Sequence, residues 1–378
     1  MRRQTVALAV MSLFLVAGSA WGQVQYTLTH LGPEVAYGIN NSGQVVGTDQ
    51  WHAACLFSAG TCDQPISPGS VTFDAAYGIN NSGQVVGQTS LVAFLYSGGS
   101  LQILGTLPGA NSSTAYGIND SGQVVGCSGS DAFLYSNGTM QDLGTFPNSF
   151  ASRAYGINNS GQVVGQFWFG ASSSHAFSYS GGVWTDLGTL GGDSSGALGI
   201  NNNGQIVGYA DTSSGAAHAF LVTGNGPMQD LGTLPAPYNY SSSAAAINNS
   251  GQVIGESYSE TGFAQPFLYS GGSMMALPSP PDPFSMAPPD GSGSLHVTGI
   301  NDSGQICGDY PPWAWGESRS AGDAYLLTPT STPEPSALAL LGAGAVGLLA
   351  YAWRGTRRFP ACSHSGWHVA RDIKGGVI

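Results

Sequence analysis

Residues 36–47 read Ala36-Tyr37-Gly38-Ile39-Asn40-Asn41-Ser42-Gly43-Gln44-Val45-Val46-Gly47. Two short apolar runs flank Asn-Asn-Ser-Gly, a tetrapeptide with Asn first and Gly fourth, as a type I turn followed by a left-handed residue prefers. The stretch predicts two antiparallel strands joined tightly, and it recurs. Its Ile stands at 39, 79, 118, 157, 200, 247 and 300, giving spacings of 40, 39, 39, 43, 47 and 53 residues. That period is the one expected of four-stranded propeller blades.

One unit, residues 113–146, shows the internal order. Ser113 to Ile118 predicts strand A and Gln123 to Gly126 strand B. Asp131 to Ser136 predicts strand C, Asn137-Gly138 is a two-residue hairpin signal, and Thr139 to Leu143 predicts strand D. Before the first copy, Tyr26 to Leu31 stands where a strand D would, without an A, B or C of its own. After the last copy, Ala324 to Leu327 supplies a strand C, and no strand D follows. The surplus strand matches the missing one. The fold class expected is therefore all-β: a seven-bladed β-propeller over 23–330, closed by the N-terminal strand so that no open edge remains.

Composition agrees. Of 378 residues 57 are Gly and 21 Pro, with only 8% charged and 42% hydrophobic, which excludes a coiled coil, a long-helix bundle or a highly charged disordered chain. Among nine Lys and Arg only Arg153 and Arg319 lie between residues 23 and 335, against 20 of the 21 acidic residues. A body so negative repels phosphate backbones and anionic headgroups, so neither nucleic acid nor an anionic membrane surface is an expected partner.

The two ends carry addresses. Arg2-Arg3, an apolar run from Val6 to Gly18 and small residues at Ser19 and Ala20 make residues 1–22 a secretory signal peptide. Near the other end, Pro333-Glu334-Pro335 precedes an apolar run, 336–353, long enough as a helix to span a bilayer, and Arg354, Arg357 and Arg358 follow it. These parts, in this order over 331–358, resemble the bacterial PEP-CTERM sorting signal. The resemblance implies a membrane helix before processing, an exosortase-type enzyme as partner, and delivery to the cell envelope, surface or extracellular matrix. Residues 359–378 extend beyond the usual end of such a signal.

The repeats resemble the bacterial extracellular family named for His-Ala-Phe (HAF). Full matches are His175-Ala176-Phe177 and His218-Ala219-Phe220, while Val92-Ala93-Phe94, Asp131-Ala132-Phe133 and Gln265-Pro266-Phe267 keep only the Phe. The imidazole is thus dispensable, and the resemblance implies a surface or secreted protein without a defined reaction.

Loop lengths separate the ends of each meander. The A–B turn keeps one length in all copies, whereas the interval from the last Gly of strand B to the aromatic of strand C runs 10, 7, 7, 12, 12, 12 and 17 residues. Variable loops on a rigid scaffold are where binding resides. The same loops hold Trp51, Trp168, Tyr258, Trp313 and Trp315 beside many amides and hydroxyls, which suits stacking against sugar rings. Glycan binding, toward exopolysaccharide, is accordingly the expected function of that face, and these five residues are the expected ligand contacts.

No residue stands out as catalytic or metal-ligating. The Asn-Ser-Gly turns lack the alternating carboxylates of a strong Ca²⁺ loop and are expected to bond locally to the backbone. No cofactor is expected, although so acidic a body leaves room for weakly held structural Ca²⁺. Cys55 and Cys62 flank a predicted hairpin, and export makes a disulfide between them available. No nucleophile elbow is present. A noncatalytic binding or structural module is the favoured reading. The alternative is an extracellular carbohydrate-active enzyme, a lyase or hydrolase, which would show a deep pocket with convergent polar groups and a perturbed acid.

Overall fold

Turn chemistry sets each repeat. In the computed structural model, which describes residues 25–32, 35–49, 53–58, 61–66, 74–170, 173–277, 295–310 and 323–330, the chain enters through β1 (Gln25–Gly32). The first repeat follows as β2 (Val35–Ile39), β3 (Val45–Thr48), β4 (Ala54–Ser58) and β5 (Thr61–Pro65). The second and third give β6–β9 (75–105) and β10–β13 (113–144). The fourth gives β14 (Ala151–Ile157), β15 (Val163–Trp168), β16 (Ser174–Ser180) and β17 (Val183–Gly188). Then come β18 (Gly191–Ile200) through β21, β22 (Ser241–Ile247) with β23 (Val253–Tyr258), β24 (Ala264–Ser270) and β25, and last β26 (His296–Ile300), β27 (Ile306–Tyr310) and β28 (Asp323–Thr330).

Among the described residues five sheets are four-stranded antiparallel meanders. An eight-stranded one is two such meanders joined by a single parallel pair, Ser174 with Ser194. The sheet of the last repeat has the order β1-β28-β27-β26, with Gln25 opposite Thr330 and Leu28 opposite Leu327. The N-terminal strand thus occupies the position that the last repeat leaves without a strand of its own. All of these residues belong to one unit, 25–330.

The third repeat shows why the motif has its residues. Asn119 Oδ1 accepts the backbone N–H groups of Ser121 at 3.1 Å and Gln123 at 3.0 Å, an Asx turn, while Gly122 takes φ +76°. Asn137 and Gly138 have φ of 52° and 81°, the double left-handed geometry of a tight hairpin. A bulge between Ala115 and Gly117 leaves Tyr116 unpaired and brings strand A close to strand B. That approach demands glycine on strand B: a Cβ on Gly165 of the fourth repeat would fall onto the Arg153 carbonyl.

The same residues tie each sheet to the next. The Nδ2 of the first turn asparagine, from Asn40 to Asn301, donates to the carbonyl of the following repeat's asparagine, and Asn301 donates back to Asn40, all at 2.9–3.2 Å. One residue on, each backbone N–H donates at 2.9 Å to the side-chain oxygen of the next repeat's equivalent, and Asp302 returns to Asn41. Buried serines add a third link. Ser152 Oγ accepts Ala132 N–H at 2.9 Å and donates to the Gly144 carbonyl at 3.0 Å, and Ser113, Ser195 and Ser242 repeat that bridge. Between sheets the core is apolar, with Phe94, Phe133, Phe177, Phe220 and Phe267 fully buried. Leu31, Val45 and Phe57 pack against Cys307 and Ala324, so the first and last repeats share one such cluster.

Candidate functional site

The A–B turns end in a polar cavity of about 160 Å³ lined by the turn asparagines and the Ile of each motif. Asp120 and Asp302 sit in its second ring. Burial by itself would raise both carboxyls, but the amide donors of Asn159 and Asn81 around Asp120, and of Asn249 and Asn41 around Asp302, hold them below their ordinary value. The amides and carbonyls of this end bond to neighbouring repeats. A second cavity, of about 230 Å³, is lined mainly by the Gly and Ile of strand A. Beside it Tyr37, Tyr77, Tyr116 and Tyr155 form an arc with ring centroids 5.0–5.5 Å apart.

The histidines of the two full His-Ala-Phe matches have a structural partner. His175 Nδ1 lies 2.9 Å from Asp186 Oδ2 and His218 Nδ1 2.9 Å from Asp230 Oδ2, each linking strand C to strand D. Those aspartates also accept the N–H of Gly188 and Gly232 at the strand D bulge.

At the opposite end the loop aromatics divide. Phe167 is fully buried and stacks on Phe146 with centroids 4.6 Å apart, whereas Trp168 is half-buried under the Arg153 guanidinium, 5.4 Å from its ring centre. Phe150 and Phe169, in the same repeat, are exposed at 59% and 37%. Tyr258 occupies the position of Trp168 two repeats later, so the two stand on separate sheets, and Tyr240 beside it is 55% exposed. Phe150 and Tyr240 were not expected as face residues: they precede strand A, and only their backbone bonds to the Trp168 and Tyr258 carbonyls draw them to the loop end. Trp51, Trp313 and Trp315 lie outside the described residues.

Beside Tyr258 is a pocket of about 390 Å³ lined by Glu256, Tyr258, Thr261, Gly262, Phe263, Ala264 and His296. Tyr258 donates its hydroxyl to Glu256 Oε2 at 2.6 Å, and the Val297 N–H donates to Oε1 at 3.3 Å. Burial and then the Glu256 carboxylate push the Tyr258 phenol well up. Asp309 is 8% exposed nearby: burial raises its carboxyl to about 6, with His296 pulling down and Glu256 pushing up. These two acids stand apart from their counterparts in the other repeats. The residue after the strand B glycine is Thr48, Gln88, Cys127, Gln166 and Tyr209 in the first five repeats, then Glu256 and Asp309. Among the described residues no group of three or more His, Cys, Asp or Glu side chains could hold a metal ion.

Cys55 is disulfide-bonded, and the side chain of Cys62, on β5 next to it, lies outside the described residues. Cys127 and Cys307 are buried free thiols, and burial pushes both up. Pro333, Glu334, Pro335, Arg354, Arg357 and Arg358 fall outside the described residues, as does the apolar run 336–353. Among the described residues no helix is long and apolar enough to cross a membrane.

A family model for the PEP-CTERM protein-sorting motif matches residues 331–358. The C-terminus carries a PEP-CTERM sorting signal. Such a signal directs export to the cell envelope or surface and implies processing by an exosortase. No curated protein matches the chain.

Among solved structures, the chain is similar to the extracellular domain of a one-component system from B. thetaiotaomicron, with TM-score 0.50 and 10% identity, over 82% of this chain and 40% of that one. TolB from Acinetobacter baumannii gives TM-score 0.41 at 14% identity over 66% and 65% of the two chains. The six-bladed β-propeller lectin of Aleuria aurantia gives 0.35 at 13% over 82% and 97%. The chain thus spans two fifths of the length of the first and 65% of the second. The likeness is one of fold alone, in a chain whose described residues are all-β and which carries a sorting signal.

Proposed function

We propose that the repeats are of the His-Ala-Phe extracellular type and form a seven-bladed β-propeller closed by β1, and that it serves at the cell surface or in the matrix as a noncatalytic module binding glycan, foremost exopolysaccharide. The observation that carries the binding reading is the concentration of aromatics at the loop end: Trp168, Phe169 and Phe150 in one repeat, Tyr258 and Tyr240 in another. Flat rings beside amides stack on the C–H faces of sugars, and an acidic body selects against strongly anionic polymers. Supporting the ring closure are the β1–β28 pairing and the two cycles of turn hydrogen bonds that return from Asn301 and Asp302 to the first repeat.

The test is incubation of the full chain with a panel of neutral and acidic polysaccharides, scoring retention and cleavage together. Neutral polymers should be retained intact, and Trp168→Ala should weaken retention in a protein that still unfolds cooperatively, as its melting curve checks. Unaltered retention by that variant and by Tyr258→Ala would remove the aromatic face from the account. A second reading, a lyase or hydrolase, is favoured by one observation: Asp309, a buried acid raised to about 6, stands beside a pocket holding another carboxylate. Release of oligosaccharides in the same assay would establish it.

A further inference from the structure

The pocket between β23, the β23–β24 turn and the start of β26 departs from the repeat in a specific way. Five repeats place an uncharged residue where this one has Glu256, and Glu256 receives only neutral donors, the Tyr258 hydroxyl and the Val297 N–H. Arg153 is the sole Lys or Arg among the described residues, and it stands two repeats away. The pocket walls are therefore electron-rich throughout: a carboxylate, the rings of Tyr258 and Phe263, and the imidazole of His296 as the one group that can carry a positive charge. The turn that completes the wall is preorganised. Ser259 N–H donates to the Phe263 carbonyl at 2.9 Å, Gly262 N–H to the Ser259 carbonyl at 2.9 Å, Phe263 N–H to Ser259 Oγ at 3.1 Å, and the hydroxyls of Ser259 and Thr261 are 2.9 Å apart.

We propose that this pocket binds one hexosamine unit of a glycan through its protonated amino group. The inference rests on the glycan-binding reading above and names the unit taken at this place. An ammonium meets the Glu256 carboxylate in a charge-assisted hydrogen bond and the faces of Tyr258 and Phe263 by cation–π attraction, and the sugar's C–H face covers what ring surface remains. The hydroxyl of Thr261 and the ring nitrogens of His296 are placed to bond its hydroxyls. The volume of about 390 Å³ falls in the range of small-ligand sites. A uronic acid would bring a carboxylate against Glu256 and be rejected.

The experiment titrates the full chain at neutral pH with glucosamine, glucose, N-acetylglucosamine and glucuronic acid, read by calorimetry or by saturation transfer from protein to sugar protons. Glucosamine should bind at least about tenfold tighter than glucose or N-acetylglucosamine, the value of one charged hydrogen bond, and glucuronic acid should not bind. Glu256→Gln should cost glucosamine about the same factor and leave the weak glucose affinity in place. Phe263→Leu, which keeps the bulk and removes the ring, carries the same expectation for glucosamine should Glu256→Gln melt early. Equal affinity for glucose and glucosamine, or glucosamine affinity unchanged by both variants, overturns the proposal. If glucosamine fails to bind while polysaccharide retention still depends on Trp168, this site alone is refuted. If retention also proves independent of the aromatic face, the wider reading falls with it.

Discussion

Replacing Asn119 separates the two tasks that the turn asparagine performs. Its side chain is 3% exposed and makes four bonds that matter: Oδ1 accepts from Ser121 and Gln123 within its own turn, and Nδ2 donates to Gln123 Oε1 at 2.8 Å and to the Asn158 carbonyl of the next repeat at 3.0 Å. Asn119→Asp keeps both acceptor bonds and abolishes both donor bonds, leaving the buried Asn158 carbonyl with only the Gly161 N–H as donor and facing a carboxylate. A buried group left without its partner costs about 1–3 kcal/mol. Asn119→Ala loses all four, and the two freed N–H groups add about 1–2 kcal/mol more. At about 2–4 °C per kcal/mol for a domain of a few hundred residues, the Asp variant should melt roughly 2–12 °C below the wild type and the Ala variant lower still. Thermal and urea unfolding measure both, with Ser121→Ala, on the exposed part of the turn, as the reference for a harmless change. An Asp variant that melts with the wild type would show that the inter-repeat ring contributes nothing and that the asparagine is kept for its local turn alone.

Deleting residues 26–31 should uncover the edge of β28 and the Leu31 side of the shared cluster, lowering the melting temperature and promoting association; a truncated protein that stays monomeric with an unchanged melting curve refutes closure by β1. Asp309 is raised from 3.8 to about 6 by burial, so the folded state holds its proton more tightly than the unfolded chain. Its burial therefore costs nothing below pH 4, an increasing amount between pH 4 and 6, and about 3 kcal/mol above that. Asp309→Asn should accordingly stabilise at pH 8 and be neutral near pH 4, with His296, Glu256 and Tyr37 as the titrating neighbours, and a stabilisation independent of pH would sink the burial argument. Mass spectrometry of the mature surface protein should find a chain ending near Pro335 and lacking residues 359–378; recovery of the intact C-terminus would indicate that the sorting signal is not cut.

Much of the architecture was legible because its signals are local. Asn119-Asp120-Ser121-Gly122 states its turn through the Asx geometry of one side chain and the positive φ of one glycine, and repetition of that tetrapeptide supplies the period. The phase shift between β1 and β28 was legible for the same reason, since counting strands needs no coordinates. The aromatic loops were only half legible. Phe167 and Trp168 are neighbours in sequence, yet alternation along β15 sends the first into the core and leaves the second under Arg153. The acid pair was hidden altogether, because Glu256 and Asp309 are 53 residues apart and only the packing of β23 against β26 brings them to one place. Aligning the repeats on the strand B glycine would have flagged both, since every other repeat is uncharged there.

By itself, then, the sequence determined what short-range chemistry determines: the class of strand and turn, the number of repeats, the acidity of the body and the sorting address at residues 331–358. Tertiary structure alone decided what depends on neighbours distant in the chain. It made the turn asparagines into a hydrogen-bonded cycle that returns from Asn301 to Asn40, and gave His175 and His218 carboxylate partners across strands C and D. It also raised Asp309 by burying it. The physical reason is that backbone conformation follows from a few adjacent residues, whereas burial, partner choice and acidity are set by whatever the fold places within a few ångströms.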